Sequence, residues 1–204
     1  MFYEPKKGHS LPHNPFNALV FPRPIGWISS LSKKGIANLA PYSFFNAIAY
    51  EPPQVMFAAT DYHSNGGLKD SIANILDTKE FVVNLATKKL QQSVVHSSID
   101  APHGVDEFKL MKLKKRKSTM VQSPSVAESP ATLECKLIRK IDLKGKKINQ
   151  NIMIIGEVVG IHIKDAFISN GKVNSLAMRA ISRMGYTEYS EVKSRFLMDR
   201  PKYS

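Results

Sequence analysis

The sequence predicts a mainly β protein, an antiparallel β-barrel into which helices are inserted one at a time. Several short strand-like segments follow one another without regular alternation with helices. The longest of them, NIMIIGEVVGIHI at 151–163, contains two glycines, and a glycine inside a strand is typical of a bulge or a bend in a coiled barrel strand. A doubly wound parallel sheet would show strand–helix alternation, and no P-loop or GxGxxG fingerprint is present.

The predicted elements can be placed along the chain from hydrophobic periodicity and turn residues. An irregular lead-in covers 1–15, and a basic, Ser/Pro-rich connection covers 112–130. The predicted strands are 25–31, 36–45, 54–60, 81–86, 133–143 and 151–163. The predicted helical segments are 16–20, 68–77, 89–97, 105–111 and 175–184. The first two strands form a hairpin around Gly35, and Asn170-Gly171 marks a tight turn.

Composition indicates an ordinary globular chain. With 204 residues, 43% of them hydrophobic and 23% charged, we expect a single domain over 1–204. No run of about 18 apolar residues suggests a membrane span, and the first residues lack the features of a secretory signal. The lone cysteine, Cys135, cannot form an internal disulfide, which favours a cytoplasmic location and a buried structural thiol.

The chain is strongly basic, with 29 Lys and Arg against 17 Asp and Glu and a net charge of +12. The densest positive run is KLKKRK at 112–117. Such a run suits either a solvated surface or a polyanion such as nucleic acid. Aromatic residues are not interleaved with it, as a single-strand binding platform requires, so we interpret it as a solvated surface.

The hairpin at 22–45, PRPIGWISSLSKKGIANLAPYSFF, collects the most chemistry. It contains an arginine, paired serines, an asparagine, an indole, a phenol and two phenylalanines. This mixture suits a ligand that is flat and aromatic at one end and anionic at the other. Each residue also has a purely structural interpretation, in which the aromatic rings are core and the serines face solvent or the neighbouring strand. Composition leaves the two interpretations about even.

A phosphate site is indicated at the start of the helix predicted near Leu68. Lys69 and Ser71 lie in its first turn, after a loop with two glycines. A cation and a hydroxyl at the positive end of a helix dipole suit an anion. Taken alone, however, these residues are read more readily as a surface lysine and an ordinary first-turn aspartate, so both interpretations stay open.

Other kinds of site are not predicted. His9 and His13 are separated by four positions, but Pro12 lies between them, and no Cys/His cluster has the spacing of a metal site. No GxSxG elbow is present, and Cys135 has no local base. We therefore predict no metal site and no catalytic side chain.

At these residues the chain resembles the flavin reductase-like family, specifically its flavoredoxin-type branch of FMN-binding split-barrel proteins. PRPIGWISS at 22–30 followed by NLAPYSFF at 38–45 is the most specific part. The similarity continues through LKDSIANI at 68–75, EFVVNLAT at 80–87, GVDEF at 104–108, VAESPATLEC at 126–135 and IIGEVVGIHI at 154–163. Order and spacing hold from end to end.

The resemblance implies a Greek-key split β-barrel with helical insertions, assembled as a homodimer with FMN near the subunit interface. Residues implied along the flavin and its ribityl chain are Arg23, Pro24, Ile25, Gly26 and Trp27. Those implied at the phosphate are Ser29, Ser30, Lys69 and Ser71. Those implied around the isoalloxazine are Asn38, Ala40, Pro41, Tyr42, Ser43 and Phe44.

Two departures from the family pattern are visible. Ser71 stands where threonine is common, which keeps the hydroxyl. Tyr186 replaces the second glycine of an Arg-x-Gly-Gly-x-x-Tyr-like segment that begins at Arg183, and its side chain is expected to narrow the pocket over the flavin.

The implied function is that of an FMN-binding oxidoreductase. It would transfer hydride or electrons between NADH or NADPH, the flavin and a downstream acceptor, with a redox partner protein as one candidate acceptor. An FMN-binding electron carrier without nicotinamide activity is the alternative within this class. A basic nucleic-acid-binding protein that uses 112–117 is the alternative outside it. No membrane partner is expected.

Overall fold

The computed structural model describes residues 1–203 and is built mainly from strands. The strands are β1 (Arg23–Pro24), β2 (Gly26–Leu31), β3 (Ala37–Tyr42), β4 (Phe45–Tyr50), β5 (Pro53–Thr60), β6 (Glu80–Leu85), β7 (Lys115–Arg116), β8 (Ser125–Val126), β9 (Ala131–Leu143), β10 (Asn151–Ile163), β11 (Ile168–Ser169), β12 (Lys172–Val173), β13 (Ile181–Arg183) and β14 (Tyr189–Glu191). The α-helices are α1 (Phe16–Leu19), α2 (Asp70–Thr78), α3 (Gln91–His96) and α4 (Glu107–Leu110). Short 3₁₀ turns cover Lys88–Leu90 and Asp165–Phe167.

Seven strands form one antiparallel sheet in the order β3-β2-β6-β9-β10-β5-β4. The order is not sequential, as in a Greek key, and β3 and β4 at its two ends are consecutive in the chain. β3 also contacts β5, so the sheet curls into a barrel. The predicted antiparallel barrel with single helical insertions is confirmed. A separate ribbon of β1, β13 and β14 lies beside it.

Two apolar cores lie on opposite faces of β2. The barrel core contains Ile28, Phe57 and Phe81, whereas a second core contains Trp27 and Phe108. Side chains alternate between the faces of a strand, so neighbours in the GWISSL sequence enter different cores. As a result, β2 is covered on both faces.

The two glycines of β10 lie at irregularities, as predicted. The register of the β9–β10 pair shifts between Ile155 and Gly156 and again between Val158 and Gly160. A Cβ at Gly156 would lie 2.5 Å from Phe81 Cζ. Glycine therefore lets the long strand bend over the buried Phe81 ring.

The structure differs from the predicted elements at two places. The strand predicted over 36–45 is divided by a bend at Ser43 and Phe44, and β4 continues to Tyr50. The helix predicted over 175–184 is wrong, because turns at 175–179 lead into β13, which pairs with β1. Arg179 has φ of 50°, and this left-handed backbone interrupts any helix through the segment.

Two further expectations concern the cysteine and a membrane span. Cys135 is a free cysteine with no exposed surface, and burial raises the pKa of its thiol. The prediction of a buried structural thiol is thus confirmed. Within residues 1–203, every helix falls short of the length and apolarity needed to cross a bilayer.

Candidate functional site

Two adjoining cavities open where β3 ends and α2 begins. The small cavity has a volume of about 260 Å³ and the large cavity about 670 Å³. They share Pro41, Tyr42, Lys69 and Ser98, so together they form one cleft. Binding sites for small molecules and cofactors have volumes of about 300–1,000 Å³, and this cleft is therefore of a suitable size for a cofactor.

The large cavity combines positive charge with aromatic rings. Its cations are Arg23, Lys69 and Arg183, and none of its lining residues in the described chain is Asp or Glu. The remaining residues along its wall include phenol, phenyl, imidazole, amide and hydroxyl groups: His13, Asn14, Asn17, Tyr42, Ser43, Phe44, Thr60, Ser98, Tyr186 and Tyr189. Such a wall suits a planar ligand that carries negative charge.

Lys69 stands at the amino end of α2 and borders both cavities. Its backbone is extended and its carbonyl accepts the N–H groups of Ile72 and Ala73. No side chain caps the helix at this residue, so the first N–H groups of the turn are left to solvent or a ligand. The helix dipole adds to the lysine charge, and the combination suits a phosphate.

A hydrogen-bonded chain lines the small cavity. Ser71 Oγ donates to Asn38 Oδ1 at 2.6 Å, and Asn38 Nδ2 donates to Glu107 Oε2 at 3.1 Å. That carboxylate also accepts the N–H of Leu39 at 2.9 Å, and burial raises the pKa of Glu107. Burial likewise raises the pKa of Tyr42 to about 12, so its phenol keeps its proton at neutral pH.

Asp70 joins α2 to two loops around the small cavity. Its carboxylate accepts from His103 Nδ1 and, at 2.9 Å, from the N–H of Gly104. His103 Nε2 lies 3.0 Å from the carbonyl of Gly66, and the ring stacks on His63 with centroids 3.8 Å apart.

The ligand atoms of His63, Asp70 and His103 lie within 4.8 Å of one another. Both ring nitrogens of His103 face acceptors, however, so a metal at this position would displace one of these hydrogen bonds. The prediction of no metal site stays a prediction.

Three predicted flavin or phosphate contacts on β2 are fully buried and lie outside the cleft. Trp27 Nε1 donates to Ser97 Oγ at 2.9 Å, and Ser29 Oγ donates to the carbonyl of Pro124 at 2.6 Å. Ser30 Oγ accepts from Asn74 Nδ2 at 3.2 Å. The structure does not support a direct ligand contact for Trp27, Ser29 or Ser30, because their polar atoms are enclosed and already bonded.

The residues at 23–26, which lead into β2, have different roles. Arg23 and Ile25 line the large cavity, whereas Pro24 is exposed and outside both cavities. Arg23 is only 7% exposed and donates to the carbonyls of Asn17 and Met184 at 2.6 and 2.9 Å. Gly26 is buried, and a Cβ there would lie 2.6 Å from Phe45 Cδ2, so it serves close packing.

The other predicted residues do come together around the cleft. They are Asn38, Ala40, Pro41, Tyr42, Ser43, Phe44, Lys69 and Ser71. Sequence reasoning did not assign several residues that complete the walls: His13, Asn14, Asn17, Thr60, His63, Asp70, Ser98, Glu107 and Tyr189. These come from loops, strands and three different helices and share no periodic signal, so only the fold collects them. Tyr186 lines the large cavity, as expected from its place in the family pattern.

The barrel and its lateral cleft define a split-barrel protein. A putative flavin reductase with a split-barrel domain from Shewanella frigidimarina has the same fold, with 18% identity, full coverage of both chains and a TM-score of 0.79. Nitrilotriacetate monooxygenase component B from Bacillus cereus is similar over 94% of this chain and 100% of that one, at 27% identity and a TM-score of 0.84.

A third solved structure, the 2-nitrobenzoate 2-nitroreductase of Pseudomonas fluorescens, is 28% identical. The similarity covers 91% of this chain and 88% of that one, with a TM-score of 0.80. The model of the flavin reductase like domain matches residues 18–177. The chain belongs to this family, and the resemblance read from the sequence is confirmed.

Proposed function

We propose that this protein binds FMN in the cleft and acts as an oxidoreductase that passes hydride or electrons between NADH or NADPH, the flavin and a further acceptor. The observation that carries the proposal is the cleft itself, in which Lys69 at the start of α2 lines the same cavity as Tyr42 and Phe44. FMN has the matching shape, a flat ring system joined by a polyol chain to one phosphate.

The residues present fit that cofactor. Lys69 and the first N–H groups of α2 would hold the phosphate, and the Ser71 hydroxyl lies in the same turn. Tyr42 and Phe44 would border the ring system, with Ser43 between them in the chain and Pro41 just before them. Asn38 and Ala40 extend the same wall into the small cavity. When bound, FMN supplies the chemistry of hydride and electron transfer.

The side chains would act by positioning and by excluding water. The buried ring of Tyr42 and the half-buried ring of Phe44 would shield a bound ring system from solvent, while Lys69 would grip the anionic end. Hydride transfer requires no acid–base pair, which agrees with the absence of a predicted catalytic side chain. Burial raises the pKa of Tyr42 to about 12, so the phenol beside the ring system would stay neutral.

A homodimer is part of the proposal. β4 is the outermost strand of the sheet, and Ile48 and Tyr50 on it are 46% and 92% exposed. An unpaired edge with exposed apolar side chains is typical of an association surface. Sedimentation equilibrium should give twice the chain mass, and Tyr50→Asp should shift it toward the monomer.

Two of the similar solved structures support the redox class. One is named a monooxygenase component and the other a nitroreductase, and both names describe redox chemistry. We extend only that class to this chain, and propose a nicotinamide donor and either a small molecule or a redox protein as acceptor. The reduced, buried Cys135 supports a cytoplasmic location.

The test begins with the purified protein, which should be yellow and absorb at about 450 nm, as oxidised flavin does. Anaerobic stopped-flow mixing with NADH or NADPH should bleach that band. If FMN binds but neither nucleotide bleaches it, the electron-carrier alternative replaces the reductase.

The nucleic-acid alternative has little structural support. In the basic run, Lys115 pairs with Asp106 at 2.5 Å, and Arg116 donates to Ser125 and Thr132. These two cations therefore stabilise the connection itself. A filter-binding titration should show no tight, salt-dependent association with nucleic acid.

A further inference from the structure

Two arginines face each other on neighbouring strands in the wall of the large cavity. Arg23 on β1 and Arg183 on β13 are direct cross-strand partners in an antiparallel pair. Like charges placed directly opposite each other on neighbouring strands are destabilising. Both arginines line the cavity, and no carboxylate among its described lining residues offsets them.

Arg23 is fixed and its charge has no acidic partner. Its Nη1 donates to the carbonyls of Asn17 and Val20 and its Nη2 to that of Met184, while its buried Nε has no partner in the described chain. Burial, and then the neighbouring Arg183 guanidinium, lowers the pKa of Arg23. Carbonyls satisfy hydrogen bonds but leave the positive charge in place, so an anion in the cavity would be attracted.

Arg183 is the more accessible member of the pair. Its guanidinium lies over the ring of Tyr189, 4.5 Å from the centroid, and its Nη2 donates to the carbonyl of Tyr186. An arginine has five N–H donors, so most of them remain for a ligand. The guanidinium is thus held by the Tyr189 ring and the Tyr186 carbonyl, and both residues also line the cavity.

The cleft therefore has cationic groups on two different elements of the fold. One is Lys69 with the start of α2, and the other is the arginine pair on the β1–β13 ribbon. FMN has a single phosphate, which occupies only one of them. A second anionic group is needed to match the second position.

We propose that the Arg23–Arg183 pair binds the anionic group of the second ligand, a planar molecule bearing a carboxylate or phosphate that rests against Tyr186 and Tyr189. This inference rests on the proposed function and narrows its substrate class. The anion belongs either to an aromatic carboxylate or to the phosphates of a nicotinamide dinucleotide. Arg183 supplies the direct contact, and Arg23 adds charge behind it.

The test compares Arg183→Gln with the wild type in equilibrium titrations of the FMN-loaded protein, followed by the flavin spectrum. The probes are benzoate, its neutral analogue benzamide, and ADP-ribose. Loss of a charge-assisted contact should weaken binding of the anionic probe by roughly tenfold to a hundredfold. Benzamide binding should change little. Arg139→Gln, an exposed arginine on β9, is the control for loss of one charge elsewhere.

Loss of affinity for benzoate identifies an aromatic carboxylate, and loss for ADP-ribose alone identifies a dinucleotide phosphate. Equal loss for benzamide, or no loss for either anion, overturns the proposal. It is also overturned if Arg183→Gln weakens FMN binding as much as that of the anions, because the pair would then hold the cofactor phosphate.

Benzoate and ADP-ribose binding to the FMN-free protein, measured by calorimetry, separates this proposal from the proposed function. If FMN does not bind but the anions bind in an Arg183-dependent way, the proposed function fails and the arginine site stands. Should Arg183→Gln not fold, Arg183→Lys keeps the charge and removes the planar fork. It should then lose anion affinity while benzamide binding persists.

Discussion

The two strands of the hairpin at 22–45 differ in what they contribute to the protein. β2 is covered on both faces, and its tryptophan and serines are bonded inside the protein. The end of β3 and the bend at Ser43–Phe44 open onto the cleft. Both strands belong to the same family pattern, so the pattern alone does not separate residues that build the site from residues that contact a ligand.

The difference has a simple physical origin. A residue on β2 meets the barrel core on one side and the second core on the other, and its polar atoms must find partners inside the protein. Asn84 illustrates this, since its Nδ2 donates to Ser29 Oγ and to the carbonyl of Trp27. β3 is an edge strand, and its last residues, Pro41 and Tyr42, border the cleft instead of a second packed core.

The largest expected effect is on stability, from Trp27→Ala. Removing a fully buried indole should lower the free energy of unfolding by about 3–5 kcal/mol, or roughly 2–4 °C in Tm for each kcal/mol. Thermal and urea unfolding measure it. Trp27→Phe, which keeps most of the ring and loses the bond to Ser97, should cost much less. FMN affinity lowered with unchanged stability would instead place Trp27 at the ligand.

Lys69→Ala should instead weaken FMN binding and leave stability nearly unchanged. If Lys69 holds the phosphate, FMN binding should weaken by about 1–3 kcal/mol, since the lost contact is charge-assisted. Unfolding of the FMN-free protein should change little. Equilibrium dialysis with FMN provides the measurement, and Lys34→Ala, in the exposed hairpin turn, is the matched control. Equal FMN affinity in both variants would refute the phosphate assignment.

Ser29→Ala tests the buried strand directly. The hydroxyl donates to Pro124 and accepts from Asn84, so its removal should lower the free energy of unfolding by about 1 kcal/mol. FMN affinity of the folded variant should equal that of the wild type. A tenfold loss of FMN affinity would restore Ser29 to the phosphate site and break the contrast between the two strands.

Tyr186→Gly should have a smaller effect on stability. Tyr186 has φ of 54°, a left-handed backbone that favours glycine, and this explains why the family pattern has glycine there. We expect the free energy of unfolding to stay equal or to rise by up to about 1 kcal/mol, and Tm to follow it. Because the ring lines the large cavity, bulkier ligands should be accepted. An identical ligand profile would show that the ring does not limit the pocket.

The smallest effect concerns pH and His103. Its hydrogen bond to Asp70, then that to the Gly66 carbonyl, raises the pKa of His103 in the folded protein. The stabilisation is therefore complete below the unfolded pKa of about 6.5 and disappears as pH rises through the folded pKa. The Tm difference between wild type and His103→Gln should accordingly be greatest in acid and vanish in alkali. A pH-independent difference would contradict this.

The sequence by itself determined most of the element order and the family. Hydrophobic alternation, the glycines of β10 and the Asn170-Gly171 turn are local signals, and the corresponding strands and turn lie where they were predicted. Local signals failed at 175–184, where pairing with β1 outweighs helix propensity. The prediction that Lys69, Tyr42 and Phe44 share one region also agrees with the cleft.

Only the tertiary structure decided which residues face the cleft and which are enclosed. β2 and β3 contain similar mixtures of apolar and polar residues, so their composition does not separate them. Burial depends on what packs over each face of a strand, and the covering segments are far away in the chain. The pairing of Arg23 with Arg183 spans 160 positions and brings two like charges together in a cavity whose described lining residues include no carboxylate. No local pattern encodes such a contact, because it exists only once β1 and β13 lie side by side.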